Sequence, residues 1–345
     1  MKPFLLGSRP VGPGQPCLLV AELSANHNGD FERACRIVQA AAEAGADAIK
    51  VQTYTAETIT LDGEDAAFAI QGTLWDGLRL ADLYRKAALP WAWHEPLRDL
   101  ARTLGLEWFS TPFDESAVDF LEKLEPPCYK TASLEIVDIP LLRHIAATGR
   151  PVIVSTGGAT REEIMRARAV FAQTPGVLLH CVAAYPAAFE EMRLRTLADM
   201  PGAFGWPAGL SDHSPGYVAP VAAVSLGACV VEKHFTLRRA DGGPDAAFSL
   251  EPEEFAALVR AVRQTEAALG HSGYGPTPSE QKSLAFRPSI WVTRDMEPGE
   301  RFTLDNIGTY RPNQGLPPVE MDVVLGRRAA RRLFRNKPLR REDVA

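Results

Sequence analysis

The sequence predicts an α/β chain: a (β/α)8 barrel followed by a smaller second domain. Three observations carry this expectation. Residues 17–269 alternate strand-like and helix-like segments in eight β–α units, which is the size and rhythm of such a barrel. The end of the first strand reads AELSANHNG, without the GxGxxG fingerprint that an open doubly wound sheet would usually show there. Nearly every strand candidate begins apolar and ends polar, as a barrel requires when its site is assembled at one rim from several strands.

The strand candidates are CLLVAEL (17–23), AIKVQTY (48–54), LEWFSTP (106–112), CYKTAS (128–133), PVIVSTG (151–157), VLLHCVAA (177–184), AGLSDH (208–213) and CVVEKHFT (229–236). Each is a short apolar or β-branched run with turn signals beside it. Between them, residues 31–44 place Phe31, Ala34, Ile37, Val38, Ala41 and Ala42 on one helical face, behind Asp30 as N-cap and ahead of Gly45 as stop. Thr160 and Glu163 have capping-box spacing. A last helix over 252–269 starts at Pro252 and carries Phe255, Leu258, Val259 and Val262.

Composition narrows the classes. The 345 residues are 46% hydrophobic and 23% charged, enough for one large domain or two unequal ones. No apolar run approaches the ~18 residues of a membrane span, so a transmembrane protein is excluded. The segment Met1–Gln15 lacks the apolar core of a signal peptide. A net charge of -6 argues against a nucleic-acid partner. Cys17, Cys35, Cys128, Cys181 and Cys229 are odd in number and form no CxxC pair. They read as small buried hydrophobes of a reduced, cytoplasmic chain, not as a disulfide framework or a zinc site.

Charge marks the domain division. Residues 286–345 hold twelve Lys/Arg against eight Asp/Glu, and the rest of the chain holds 25 against 35. The stretch HSGYGPTPSEQK (271–282) is linker-like. The expected division is a catalytic barrel over 1–270, a linker over 271–285 and a small domain over 286–345. The basic run at 327–343 reads as a solvated or intersubunit face, since it has no interleaved aromatic beyond Phe334.

The polar strand ends hold the candidate chemistry: Glu22, Lys50 with Gln52, Ser110 with Thr111, Lys130 with Ser133 and Glu135, Ser155 with Thr156, Tyr185, Ser211 with His213, and Glu232 with His234. Pairs spaced i, i+2 point to one side of a strand. His213 and His234 end neighbouring strands, ~4.8 Å apart in a barrel, so the two imidazoles can share one ion. Nitrogen ligands with open positions suit Mn, Fe, Co or Zn better than Mg, and such an ion would polarise a carbonyl oxygen. Lys50 and Lys130 could form a Schiff base or neutralise an anion. Neither is expected in an apolar environment that would depress its pKa strongly. The surrounding hydroxyls and the Gly157–Gly158 backbone favour a phosphate or carboxylate. No Walker loop is present, so a nucleoside triphosphate is not indicated.

These residues lie in longer motifs. AELSANHNGD (21–30), GADAIKVQTYT (45–55), GTLWDG (72–77), FSTPFDESAVDFLE (109–122), YKTASLEI (129–136), GLSDHSPG (209–216), EKHFT (232–236) and DGGPDAAFSLEPEEF (241–255) resemble the sialic acid synthase family, and most of all its pseudaminic acid branch. The stretches 287–316 and 324–329 resemble the SAF domain, which is related to type III antifreeze proteins.

The resemblance implies condensation of phosphoenolpyruvate with an N-acylated amino-sugar aldehyde, giving a nine-carbon 2-keto acid and phosphate by C–O cleavage. In the pseudaminic branch the sugar is 2,4-diacetamido-2,4,6-trideoxy-altrose. By matched motif, His213 and His234 would hold a divalent metal, Mn2+ ahead of Mg2+ or Co2+. Lys50, Thr111, Lys130, Ser133, Ser155 and Ser211 would hold phosphoenolpyruvate. Glu22 and Glu135 would position water and assist proton transfer, with Glu232 beside the metal and its water. Gln52, Tyr185, Asp245 and, from the SAF domain, Arg311 would face the sugar. The family also implies a domain-swapped homodimer. Ala183 departs from the pattern, where Asn or Ser is usual, as do Pro215 and Gly158. The alternatives are N-acetylneuraminate or legionaminate synthesis and, from another class, a non-catalytic sugar-binding protein.

Overall fold

A computed structural model describes residues 2–345. The chain divides into two compact units, one ending at Gly270 and the other spanning His271–Ala345.

The first unit opens with a hairpin, β1 (Phe4–Leu6) paired antiparallel to β2 (Arg9–Val11). The eight strands expected from sequence come next: β3 (Leu18–Glu22), β4 (Ala48–Thr53), β5 (Glu107–Pro112), β6 (Tyr129–Thr131), β7 (Val152–Ser155), β8 (Gly176–Cys181), β9 (Ala208–Asp212) and β10 (Val230–His234). All pair in parallel, and β10 closes on β3. The caps fall where the sequence put them. Asp30 accepts a hydrogen bond from the Arg33 amide, and Thr160 with Glu163 forms a capping box. The last helix is Pro252–Leu269.

Strand parity builds two cores. One set of side chains packs between the strands and the outer helices, including Leu19, Ile49, Trp108, Val152, Leu210 and Val231. The alternate set fills the barrel interior, including Leu18, Val20, Ala48, Phe109, Cys128, Ile153, Leu179 and Val230. Gly209 belongs to this interior layer, where an added Cβ would lie 2.6 Å from Leu179 Cδ2 and from the Val230 carbonyl oxygen. The β1–β2 hairpin contributes Leu6 and Val11, both fully buried, to the interior cluster. It is tied down by Arg9 to Asp47 at 2.7 Å and by Ser8 to Glu107.

Continuing the interior rows by two residues along each strand gives Glu22, Lys50, Thr111, Lys130, Ser155, Cys181, Ser211 and Glu232. The barrel is therefore apolar through its lower layers and charged in its top layer, with the period of two dividing wall from chamber. Between β4 and β5 runs a long insertion that includes the helix Leu80–Ala87 and a loop over 61–79.

The second unit pairs β11 (Ser289–Val292) antiparallel to β12 (Ile307–Tyr310) around Ile290, Val292, Met296, Phe302, Ile307, Val324, Ala329, Leu333 and Leu339. Much of the basic run is engaged inside this unit. Arg331 pairs with Asp343, Arg341 with Glu320 and Arg332 with Glu297, while Arg328 donates to the Gly299 carbonyl. All five cysteines are free thiols, and Cys35 alone is only partly buried.

Candidate active site

The top layer of the barrel is a buried network. Lys50 Nζ lies 2.8 Å from Glu22 Oε2, 3.3 Å from Glu232 Oε1 and 3.2 Å from Thr111 Oγ1, to which it donates. Lys130 Nζ donates to Ser155 Oγ at 2.6 Å and to the Thr131 carbonyl at 2.8 Å. Ser211 Oγ donates to Glu232 Oε1 at 3.3 Å. Ser133 Oγ accepts the Gly157 amide at 3.1 Å.

Gln52 Nε2 donates to Glu22 Oε1 and to Ser24 Oγ, both at 3.0 Å, and Ser24 Oγ donates to Asp245 Oδ2 at 2.5 Å. Ser24 holds a left-handed backbone conformation, φ 45°, that a serine rarely adopts, and it sits where its hydroxyl links the two sugar-facing candidates Gln52 and Asp245. It is absent from the residues predicted from sequence. Its position two residues beyond Glu22 is the parity signal that could have found it.

Burial and pairing set the charges. Burial works against the Lys50 ammonium, but Glu22 and Glu232 outweigh it and hold its pKa above the ordinary value. Burial lowers Lys130, only partly offset by Glu232. The expectation that neither lysine is depressed thus holds for Lys50 and fails for Lys130, whose neighbours in sequence do not show that its ammonium ends inside the barrel. Glu22 is pushed up by burial against the opposing Lys50, whereas in Glu232 the two lysines override burial and hold the carboxyl low. Burial also raises Glu135 and Asp245. Carboxyls held up beside one held down is an arrangement by which one site can both give and take protons.

Above this layer the imidazoles of His213 and His234 stand 5.4 Å apart between ring centres. His213 Nδ1 is 2.9 Å from the Val182 carbonyl oxygen, which can only accept, so Nδ1 carries a proton and in the neutral ring the lone pair is on Nε2. His234 Nδ1 is buried without a hydrogen-bond partner, 3.9 Å from Asp245 Oδ2. Burial keeps His234 neutral. Tyr185 lies tilted against His213 at 4.2 Å between ring centres, and Phe248 meets His234 edge to face at 4.9 Å.

A cavity of about 460 Å3 opens above, bordered by Gln52, Ser133, Glu135, Tyr185, His234 and Asp245 on its polar side. The structure thus gathers the barrel residues singled out from the sequence, with two exceptions among the strand-end hydroxyls. Ser110 is hydrogen-bonded to Thr53 and the Val51 carbonyl, and Thr156 Oγ1 donates to the Leu179 carbonyl at 3.1 Å. Arg311 belongs to the second unit, where it borders a separate hollow with Trp291, Tyr310 and Arg335.

The NeuB family matches residues 37–274, and the SAF domain matches residues 287–345. The chain belongs to the NeuB family. Within it, the chain is 42% identical to the pseudaminic acid synthase of Helicobacter pylori over 96% of its own length and 98% of the relative's. It is 34% identical to the N,N'-diacetyllegionaminic acid synthase of Legionella pneumophila over 98% and 97%. Among solved structures, the N-acetylneuraminic acid synthetase of Leptospira borgpetersenii superposes with a TM-score of 0.74 at 33% identity, covering 82% of this chain and 95% of that one.

The histidine pair of this NeuB-family chain suits a metal by its own chemistry. One imidazole is held in the tautomer that leaves Nε2 free, and the other is neutral with an orphaned buried nitrogen. No three His, Cys, Asp or Glu side chains among the described residues form a ready-made metal cluster. An ion held by these two imidazoles would have its remaining positions open to water or substrate.

Proposed function

We propose that this enzyme is a pseudaminic acid synthase, condensing phosphoenolpyruvate with 2,4-diacetamido-2,4,6-trideoxy-altrose to give the nine-carbon 2-keto acid and phosphate. The observation that carries the reading is the 42% identity to the Helicobacter pylori enzyme across nearly the whole of both chains. The chamber agrees with it at each chemical step.

Phosphoenolpyruvate brings a phosphate and a carboxylate. Lys50 and Lys130 supply buried cations, and Thr111, Ser133, Ser155 and Ser211 supply hydroxyls around them. Lys130 is hydrogen-bonded to Ser155 and to a main-chain carbonyl, which suits anion binding better than attack on a carbonyl carbon. A divalent ion held by His213 and His234, Mn2+ ahead of Mg2+ or Co2+, would polarise the aldehyde oxygen.

The vinyl carbon of phosphoenolpyruvate bonds to the aldehyde carbon, and the aldehyde oxygen takes up a proton. The electron-poor C2 then takes the oxygen of a water. Glu22 and Glu135, whose pKa values burial raises, are the groups to orient that water and accept its proton. Glu232, held anionic by the two lysines, steadies positive charge at C2. Collapse of the tetrahedral centre breaks the C–O bond and expels phosphate. Gln52, Tyr185 and Asp245 line the space left for the sugar.

The resemblance supports a cytoplasmic, domain-swapped homodimer in which Arg311 of the SAF domain reaches the sugar in trans. Product analysis by mass spectrometry, offering phosphoenolpyruvate with a panel of amino-sugar aldehydes, tests the reading. The trideoxy altrose should give the nine-carbon acid with the highest kcat/KM. A higher value with N-acetylmannosamine or the legionaminic precursor would move the chain to a sister branch.

A further inference from the structure

The loop over 61–79 carries a tryptophan across the chamber mouth. Its base is closed by main-chain hydrogen bonds from Ile70 to Leu78 at 2.9 Å and from Gly77 to Ile70 at 3.3 Å. Its tip is fixed by Asp76 Oδ1, which accepts the Thr73 amide at 2.6 Å, and by Thr73 Oγ1, which accepts the Trp75 amide at 3.1 Å. Gly72 and Gly77 turn the chain at φ 76° and 84°, in the left-handed region.

Trp75 is thereby aimed inward. Its indole N–H donates to the Pro244 carbonyl at 2.9 Å, joining two segments 169 residues apart beside Asp245. Its ring lies 5.8 Å from Tyr185 and 6.5 Å from Phe248, the two rings packed against the histidine pair. The apolar part of the cavity lining includes Ile59, Ile70, Trp75, Leu80, Leu83 and Phe113, with Thr73 and Tyr84 among them.

The depth of each group orients the sugar. The anion-binding lysines are fully enclosed at the bottom, so the reacting aldehyde carbon must point down. The far end of the carbon chain, C6, then reaches the mouth, where the loop lies. A largely apolar wall there suits a methyl group and acetamido methyls better than a hydroxyl.

We infer that Trp75 and Ile70 determine sugar specificity, their side chains forming the apolar wall that accepts the 6-deoxy end of the substrate and disfavours a 6-hydroxyl. The inference rests on the proposed function and adds to it the residues that select the sugar. A loop that served only to cover the site would affect all sugars alike, so the decisive quantity is a ratio.

The experiment measures kcat/KM for the 6-deoxy diacetamido sugar and for the otherwise identical sugar bearing a 6-hydroxyl, in wild type, Trp75→Ala and Ile70→Asn. The KM for phosphoenolpyruvate and the thermal midpoint are followed in each. Wild type should prefer the deoxy sugar by roughly 10–100-fold, the range an apolar pocket reaches against an added hydroxyl. Each variant should cut that preference about tenfold, through the KM of the deoxy sugar, with the KM for phosphoenolpyruvate unchanged. Ile70→Asn gives the hydroxyl a partner and tests the wall without removing the tryptophan. Equal losses for both sugars would make the loop a cover and overturn the inference while leaving the proposed function standing. A wild type that ignores diacetamido trideoxy sugars and condenses another would overturn the proposed function, and this inference with it.

Discussion

Lys50 stands 2.8 Å from Glu22 because strand register puts the two residues directly opposite each other on β4 and β3. Both side chains are almost wholly buried, and Glu232 approaches the same ammonium at 3.3 Å. One cation therefore separates two buried carboxylates.

Removing that cation should cost more than removing one anion. Lys50→Met leaves Glu22 and Glu232 facing each other in the barrel, and should lower unfolding free energy by about 3 kcal/mol or more while abolishing turnover. Glu22→Gln keeps Lys50 paired with Glu232 and should cost clearly less. Denaturant unfolding of the two variants checks the order, and an equally stable Lys50→Met would contradict the ion-pair reading.

His94 ties stability to acid. Its Nε2 lies 2.7 Å from Thr53 Oγ1 in a buried cluster with Ser110, and burial lowers its pKa from 6.5 to about 4. The folded state resists the proton that the unfolded chain accepts. This contribution is therefore fully present above pH 6.5 and is lost as pH falls toward 4, amounting to about 2 kcal/mol between pH 7 and pH 5. Urea midpoints at both pH values, compared with those of His94→Gln, should show the variant losing less on acidification. Equal losses would remove His94 as the cause.

Chelation should remove activity, and Mn2+ should restore it, if the free Nε2 of His213 and the neutral His234 hold the ion. Calorimetric titration of metal into the stripped protein gives a readout independent of turnover. It should show binding in wild type and much weaker binding in His213→Ala. Full activity of a rigorously metal-free His213→Ala protein would sink the assignment.

The dimer proposal has a complementation test. Arg311→Ala spoils the SAF domain and His234→Ala the barrel, and each variant alone should be nearly inactive. Random exchange at equal amounts should restore about a quarter of the wild-type sites, because half of the dimers are mixed and each mixed dimer has one whole site. If native mass spectrometry found mixed dimers and activity stayed absent, Arg311 would act within its own subunit.

Much of the fold and of the chamber is legible in the sequence. A strand side chain alternates with a period of two, so apolar residues at Val20, Ala48 and Val230 already place Glu22, Lys50 and Glu232 on the same inner face. Helix starts are legible at Asp30 and Thr160 because a cap is a contact within a few residues. The family motifs name the same chamber residues independently, and Arg311 outside it.

Local chemistry is enough to set the eight strands, the caps, the polar rim and the family motifs, and all of these are settled by the amino-acid order alone. Tertiary structure decided everything that depends on distant partners. Only the folded chain plugs the barrel with Leu6 and Val11, bonds Ser110 to Thr53, lowers the pKa of Lys130 by enclosing it, and latches Trp75 onto Pro244 across 169 residues. The physical reason is that periodicity and capping act over a few residues, whereas burial and desolvation are set by which remote segments close around a group, and a linear sequence does not state that.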